Sequence, residues 1–148
     1  YSSILQRDAA GNSNQFRPLP YKDFKRRCIP EMPYAHMSAF IRRYVFESIG
    51  LFDTKFSIGA DHDMAIRIIH AGYQGEEVPG VIGEFLLGGV SGGLNTVKEI
   101  YRVSIKHDSS RIIASSVFLK QLSVILALNI LPDPIIKYIK RLKGSRFS

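Results

Sequence analysis

Cysteine is almost absent from this chain. Cys28 is the only one, so no internal disulfide can form and a reducing compartment is the natural home. Acids run out toward one end: from Ser109 onward Asp133 stands alone against Arg111, Lys120, Lys137, Lys140, Arg141, Lys143 and Arg146. Seven minus one leaves +6 in that tail, most of the +7 formal charge of the chain. Such an end meets anionic lipid headgroups or nucleic acid by Coulomb attraction, or simply stays solvated. Among the clustered cations from Lys137 to Arg146 and the residues beside them, the aromatics that stacking on bases would need are limited to Tyr138 and Phe147, so nucleic acid is not the expected partner. No secretory signal is read before the first strand, a start cut away upstream leaving that question open, and no internal repeat or low-complexity segment is read in the residues given. The apolar stretch 112–131 raises the question of a membrane span, but Lys120 and Gln121 lie near its middle with Ser115, Ser116, Ser123 and Asn129 also inside. A central lysine alone costs roughly 2.5 to 3.5 kcal/mol on insertion scales. A crossing is therefore not expected, and two readings stay open: a helix that covers the core, or one that lies in a membrane interface.

At 148 residues the chain fits one modest domain, able to bury roughly two thirds of the surface its unfolded form exposes. Residues 1–8 read as a strand already under way, turning at Ala10-Gly11-Asn12 into a polar connector that runs past Pro18 and Pro20. We therefore expect the later part of a longer protein, inactive as an isolated piece. Residues 21–27 suit a short helix, stopped by Pro30 and Pro33, and residues 34–41 a short strand or extended segment. Residues 42–49 carry helix formers with Val45 and Ile49 one turn apart and Gly50 where a helix stops. Helical spacing returns over about 61–71, closed by Gly72. Residues 78–87 are rich in branched side chains and read as a strand, 88–93 as a glycine-rich loop. Beyond Thr96 the pattern is helical, over 97–107, 111–131 and 134–142, with Pro132 and Pro134 parting the last two. Strand and helix in alternation predict an α/β sheet layer followed by C-terminal helices.

The most informative stretch is Gly59-Ala60-Asp61-His62-Asp63-Met64-Ala65-Ile66-Arg67. Met64 and Ile68, like Ala65 and Ile69, recur four apart on one helix face, which puts Asp61 and Asp63 in the first turn. The helix dipole favours negative charge there, so either acid can stand as a carboxylate that accepts a proton or orients a hydroxyl. Asp is also a preferred N-cap residue, and plain capping is the alternative.

Taken as a set, Met32-Pro33-Tyr34-Ala35-His36-Met37-Ser38-Ala39-Phe40-Ile41-Arg42-Arg43, Ile49-Gly50-Leu51-Phe52-Asp53, the stretch around Asp61, and residues 85–91 resemble, in order and spacing, the family 2 glycosyltransferases of bacterial polysaccharide assembly. The resemblance covers roughly residues 1–95. It implies the C-terminal, acceptor-side part of a GT-A fold over 1–95; residues 96–148 follow as a helical extension, for which both core packing and contact with a membrane surface stay open. It implies Asp61 as catalytic base, with Ala60 where a Glu often stands and Asp63 as a second catalytic acid that takes more of the orienting role. His36, Ser38, Gly88, Gly89 and Ser91 fall at substrate-binding places, and Arg67 at a structural one. A Mg²⁺ or Mn²⁺ cofactor is implied for the whole enzyme, its acidic ligands lying upstream. Partners would be a nucleotide-diphospho-sugar donor and a glycan or lipid-linked acceptor, at the cytoplasmic face of the inner membrane. The glycine-rich loop carries neither the basic residue nor the His with which some relatives meet the diphosphate.

Asp61-His62-Asp63 also satisfies the bare D-x-D pattern that holds the metal in this fold. That motif should follow an apolar strand and share its ion with substrate phosphates, whereas these acids open a helix. His36, Asp61, His62 and His70 have ligand chemistry but no tight ligand spacing, so no metal site is expected within this chain. A reading of another class also stays open: a non-catalytic basic module that grips a membrane surface or nucleic acid through its tail.

Overall fold

The computed structural model describes residues 1–8, 11–24, 32–86, 93–107 and 110–130. Among these residues the architecture is mixed α/β, a small mixed sheet with four α-helices. Ser3-Ile4-Leu5-Gln6-Arg7 forms β1 (Ser3–Arg7), the centre of a three-stranded sheet. Its apolar Ile4 points to the core and is fully buried. Asp8 then closes a hairpin: its two carboxylate oxygens accept the Asn12 backbone N–H and side-chain amide, each at 2.9 Å. Gly11 supplies the positive φ of +85° that the turn needs. The polar run beyond, expected as a connector, is strand β2 (Ser13–Phe16), antiparallel to β1 with Ile4 opposite Phe16. Its composition gives no strand signal; it is extended because β1 offers it an edge. On the other side β3 (Val81–Leu86) runs parallel to β1, with an irregularity between Ser3 and Leu5.

The chain between β2 and β3 carries the elements of interest. A 3₁₀ turn at Tyr21–Asp23 stands where the 21–27 helix was expected, the rest of that helix lying outside the described residues. Helix α1 (Arg43–Ile49) ends at Gly50, whose φ of +83° makes the stop. Helix α2 (Ala60–His70) buries His62, Asp63, Met64, Ala65, Ile66 and Ile69, so it is sunk along most of its circumference. With Phe24, Tyr34, Phe56 and Val103 it makes the core. Helix α3 (Leu94–Lys106) crosses the start of α2 and supplies Val103; helix α4 (Arg111–Ile130) packs along α3, the rings of Tyr101 and Phe118 meeting edge-on at 5.6 Å. The helix expected at 134–142 lies outside the described residues.

Helix α2 has no capping side chain of its own, because its N-cap is Gly59. The orphan donors before it are met from α3 instead: the Glu99 carboxylate accepts the N–H groups of Ile58 at 2.8 Å, Gly59 at 2.9 Å and Ser57 at 3.2 Å. A Cβ at residue 59 would come within 3.1 Å of Val103 Cγ2, so glycine is what lets α3 approach so closely. Partial burial pushes the Glu99 carboxyl up, but the three backbone donors outweigh it and hold the pKa below the usual carboxylate range. Glu99→Ala is expected to cost about 1.5 to 3 kcal/mol in urea unfolding, the range of a charged hydrogen-bond acceptor lost. A cost near zero would mean that water replaces the carboxylate.

Candidate active site

Tyr34 to Ile41 is not a strand. The Ser38 N–H and hydroxyl both bond to the Ala35 carbonyl oxygen, at 2.9 and 2.8 Å, and close a 3₁₀ turn at His36–Ser38. Ser38, expected at a substrate-binding place, is fully buried here with its hydroxyl bonded within its own turn. The turn raises His36, whose side chain is 60% exposed, to the start of α2. There its Nδ1 lies 3.0 Å from Asp61 Oδ2. With Asp61 ionised, Nδ1 carries the hydrogen and Nε2 of a neutral ring is left as an acceptor. The other oxygen, Oδ1, accepts the backbone N–H of His62 at 2.8 Å. Asp61 is thus not the N-cap, and its side chain keeps 32% exposure.

Two cavities meet at this pair. One, of about 500 Å³, runs toward Phe46, Phe52 and Met64; the other, of about 310 Å³, runs toward Gln6, Phe85 and Thr96. Asp61, His36, Tyr34, Met32 and Ile58 line both. Each volume is in the range of small-molecule sites, and mostly apolar walls with a few convergent polar groups are their usual make-up. The Thr96 hydroxyl oxygen, in the wall of the second cavity, is buried and has no hydrogen-bond partner among the described residues, which leaves it free to bond a ligand oxygen or water.

Asp63 goes elsewhere. Two residues on an α-helix are about 200° apart, so the neighbour of a cavity-facing Asp61 turns inward, and Asp63 is fully buried. Its Oδ2 accepts Arg67 Nε at 2.9 Å, and its Oδ1 meets Lys106 Nζ at 2.7 Å and His107 Nε2 at 2.8 Å. Lys106 also reaches Asp53 Oδ2 at 2.9 Å. Burial pushes the Asp63 carboxyl up, but the hydrogen bonds from Lys106, His107 and Arg67 prevail and hold its pKa below the ordinary value. Desolvation pulls Lys106 down, and its bonds to Asp63 and Asp53 more than reverse that. Arg67 spends its remaining donors on the end of α1, at 2.8 Å to the Ile49 oxygen and 2.7 Å to that of Leu51. Asp63, expected in an orienting role, lines neither of these cavities, and its bonds tie α2 to the end of α3. Through these bonds Arg67 ties the end of α1 to α2.

Gly88, Gly89 and Ser91 lie outside the described residues. Sequence reasoning named Asp61 and His36 without pairing them, and missed Glu99, Thr96, Lys106 and His107. The last two are basic residues at a helix C-terminus, a pattern that ordinarily signals no more than dipole compensation. Among the described residues no group of three His, Cys, Asp or Glu could hold a metal ion. No family model matches the chain, and comparison with curated proteins and with solved structures returned no match.

Proposed function

We propose that this chain is the acceptor-side part of an inverting glycosyltransferase of the family 2, GT-A type, moving a sugar from a nucleotide-diphospho-sugar to a glycan or lipid-linked saccharide at the cytoplasmic face of the inner membrane. One observation carries the reading: a partly exposed carboxylate, held from one side by His36, stands on the wall shared by two cavities. Inverting transfer needs that placement, with the acceptor hydroxyl against a base and the sugar C1 beyond it, the nucleoside diphosphate leaving from the far side. A carboxylate is a weak base toward an alcohol. It suffices because the proton departs late, when bonding to C1 has already made the oxygen acidic. His36 fixes the direction of the Asp61 lone pairs.

The divalent cation implied by the resemblance, which would screen the charge of the leaving diphosphate, does not fit the acids described. Asp61 and Asp63 face apart, and both oxygens of Asp63 are already taken by Arg67, Lys106 and His107. Its ligands are therefore sought upstream, and no step is assigned to it in this chain.

Extended upstream by its native coding sequence and offered nucleoside-diphospho-sugars with glycan acceptors, the protein is expected to release nucleoside diphosphate in an acceptor-dependent way. Absence of turnover with every donor would overturn the reading. In the same assay His36→Ala should lower kcat by up to about 10²-fold, the cost of misplacing a catalytic group by an ångström, with KM for the donor unchanged. A change confined to KM would make His36 a substrate contact instead.

A further inference from the structure

Three consecutive N–H groups that lead into α2 are met by one side chain from another helix. Glu99 of α3 accepts those of Ile58 and Gly59 on Oε2, at 2.8 and 2.9 Å, and that of Ser57 on Oε1 at 3.2 Å. A capping side chain would take the N–H of the second or third helical residue, and Asp61 already takes that of His62. Glu99 fixes something else, the path by which the chain enters the helix. Only Ala60 separates Gly59 from Asp61. Each residue along a helix turns the side-chain direction by about 100°, so where the Asp61 carboxylate stands depends on where residues 57–59 lie.

His36 orients the Asp61 lone pairs but is itself lightly held. Its side chain is 60% exposed and stands on the short 3₁₀ turn His36–Ser38, so the 3.0 Å contact of its Nδ1 with Asp61 Oδ2 needs the carboxylate to be brought to it from the α2 side. Helix α3 supplies that hold at two points. Glu99 holds the entry with a negative group, and two turns further on Lys106 holds Asp63 with a positive one, at 2.7 Å. Val103 lies on the same face between them, and a Cβ at residue 59 would meet it at 3.1 Å. One face of α3 thus fixes both the start of α2 and its rotation. The cavities follow the same segment: Ser57 lines the first, Gly59 the second and Ile58 both.

We propose that Glu99 is the positioning residue of the Asp61–His36 pair: through the N–H groups of Ser57, Ile58 and Gly59 it sets the first turn of α2 and so places the Asp61 carboxylate against His36 on the wall that the two cavities share. Its effect on turnover rests on the reading of Asp61 as the base. Its effect on the pair does not.

The first measurement needs no substrate. Long-range proton–nitrogen correlation spectra of the whole chain at about pH 8, where imidazole is neutral, should show His36 in the Nδ1–H tautomer that Asp61 holds. In Glu99→Ala the same ring should revert to the tautomer mixture of an unpaired imidazole, while circular dichroism stays that of the parent. A folded Glu99→Ala that keeps the parent tautomer overturns the proposal, as does a parent chain in which His36 shows no preference. Should Glu99→Ala unfold, Glu99→Asp decides: it keeps the charge but is one methylene shorter, so the tautomer should shift toward the mixture, and an unmoved tautomer overturns the proposal equally. The second measurement uses the upstream-extended protein. There Glu99→Ala should lower kcat by up to about 10²-fold, the cost of displacing a catalytic group by an ångström, with donor KM unchanged and Glu99→Gln in between. A purely structural Glu99 would lower kcat only in proportion to the fraction unfolded, which urea titration measures. A shifted tautomer with kcat unchanged would support the placement by Glu99 and count against Asp61 as the base.

Discussion

Asp61→Asn should abolish transfer, lowering kcat by about 10² to 10⁴-fold, the usual contribution of a positioned general base, while donor affinity holds. The substitution is nearly isosteric. The Asn side-chain oxygen keeps one of the two hydrogen bonds that Asp61 accepts, from His36 Nδ1 at 3.0 Å or from the His62 backbone N–H at 2.8 Å, while its NH2 faces the other donor, so the proton acceptor is lost together with one bond and almost no volume. Measured by nucleoside diphosphate release in the upstream-extended protein, with donor binding followed by calorimetry, this separates chemistry from binding. Most of the turnover surviving would show that Asp61 is not the base. The comparison with His36→Ala also decides which member of the pair takes the proton. A larger loss in His36→Ala than in Asp61→Asn points to the imidazole Nε2, with Asp61 reduced to holding the ring in its tautomer.

Asp63→Ala should be the most destabilising single change at this site, costing about 3 to 5 kcal/mol, the penalty for removing one partner of a buried ionic cluster. That is a large part of the roughly 5 to 15 kcal/mol available to a whole domain. Arg67, Lys106 and His107 all converge on one fully buried carboxylate, and without it their donors lose their acceptor and the Arg67 and Lys106 cations repel one another with little water to screen them. Urea unfolding is the measurement, and a loss below 1 kcal/mol would mean that Lys106 and His107 swing to solvent at no cost. The cluster also fixes a direction with pH. Because the folded Asp63 carboxyl titrates below its unfolded value, its contribution is fully present above the ordinary carboxyl value of about 4 and disappears as pH falls from there through the lower, folded value. In Asp63→Asn that acid-side decline should be shallower than in the parent.

The helices were legible because their signals are local. Val45 and Ile49 one turn apart with Gly50 after them predict α1, and Met64, Ala65 and Ile69 predict α2, to within a residue of Arg43–Ile49 and Ala60–His70. What could not be read is what depends on a neighbour distant in sequence. Ser13–Phe16 is a strand only beside β1, and residues 34–41 turn at His36 because Ser38 spends both its donors on Ala35, a local bond that an apolar pattern does not announce. The expected glycine-loop contacts at Gly88, Gly89 and Ser91 fall outside the described residues.

The divergence of Asp61 and Asp63 divides the two kinds of information. Their position in the first turn of a helix follows from sequence, because 3.6-residue spacing and the glycine before them are written in consecutive residues. Which of the two meets a cavity is decided by α3, which brings Lys106 and His107 across more than forty positions of chain to Asp63. A helix has an inner and an outer side only once something packs against it. Sequence alone therefore supplied two equivalent carboxylates, and packing turned one into an anchor and left the other facing open space.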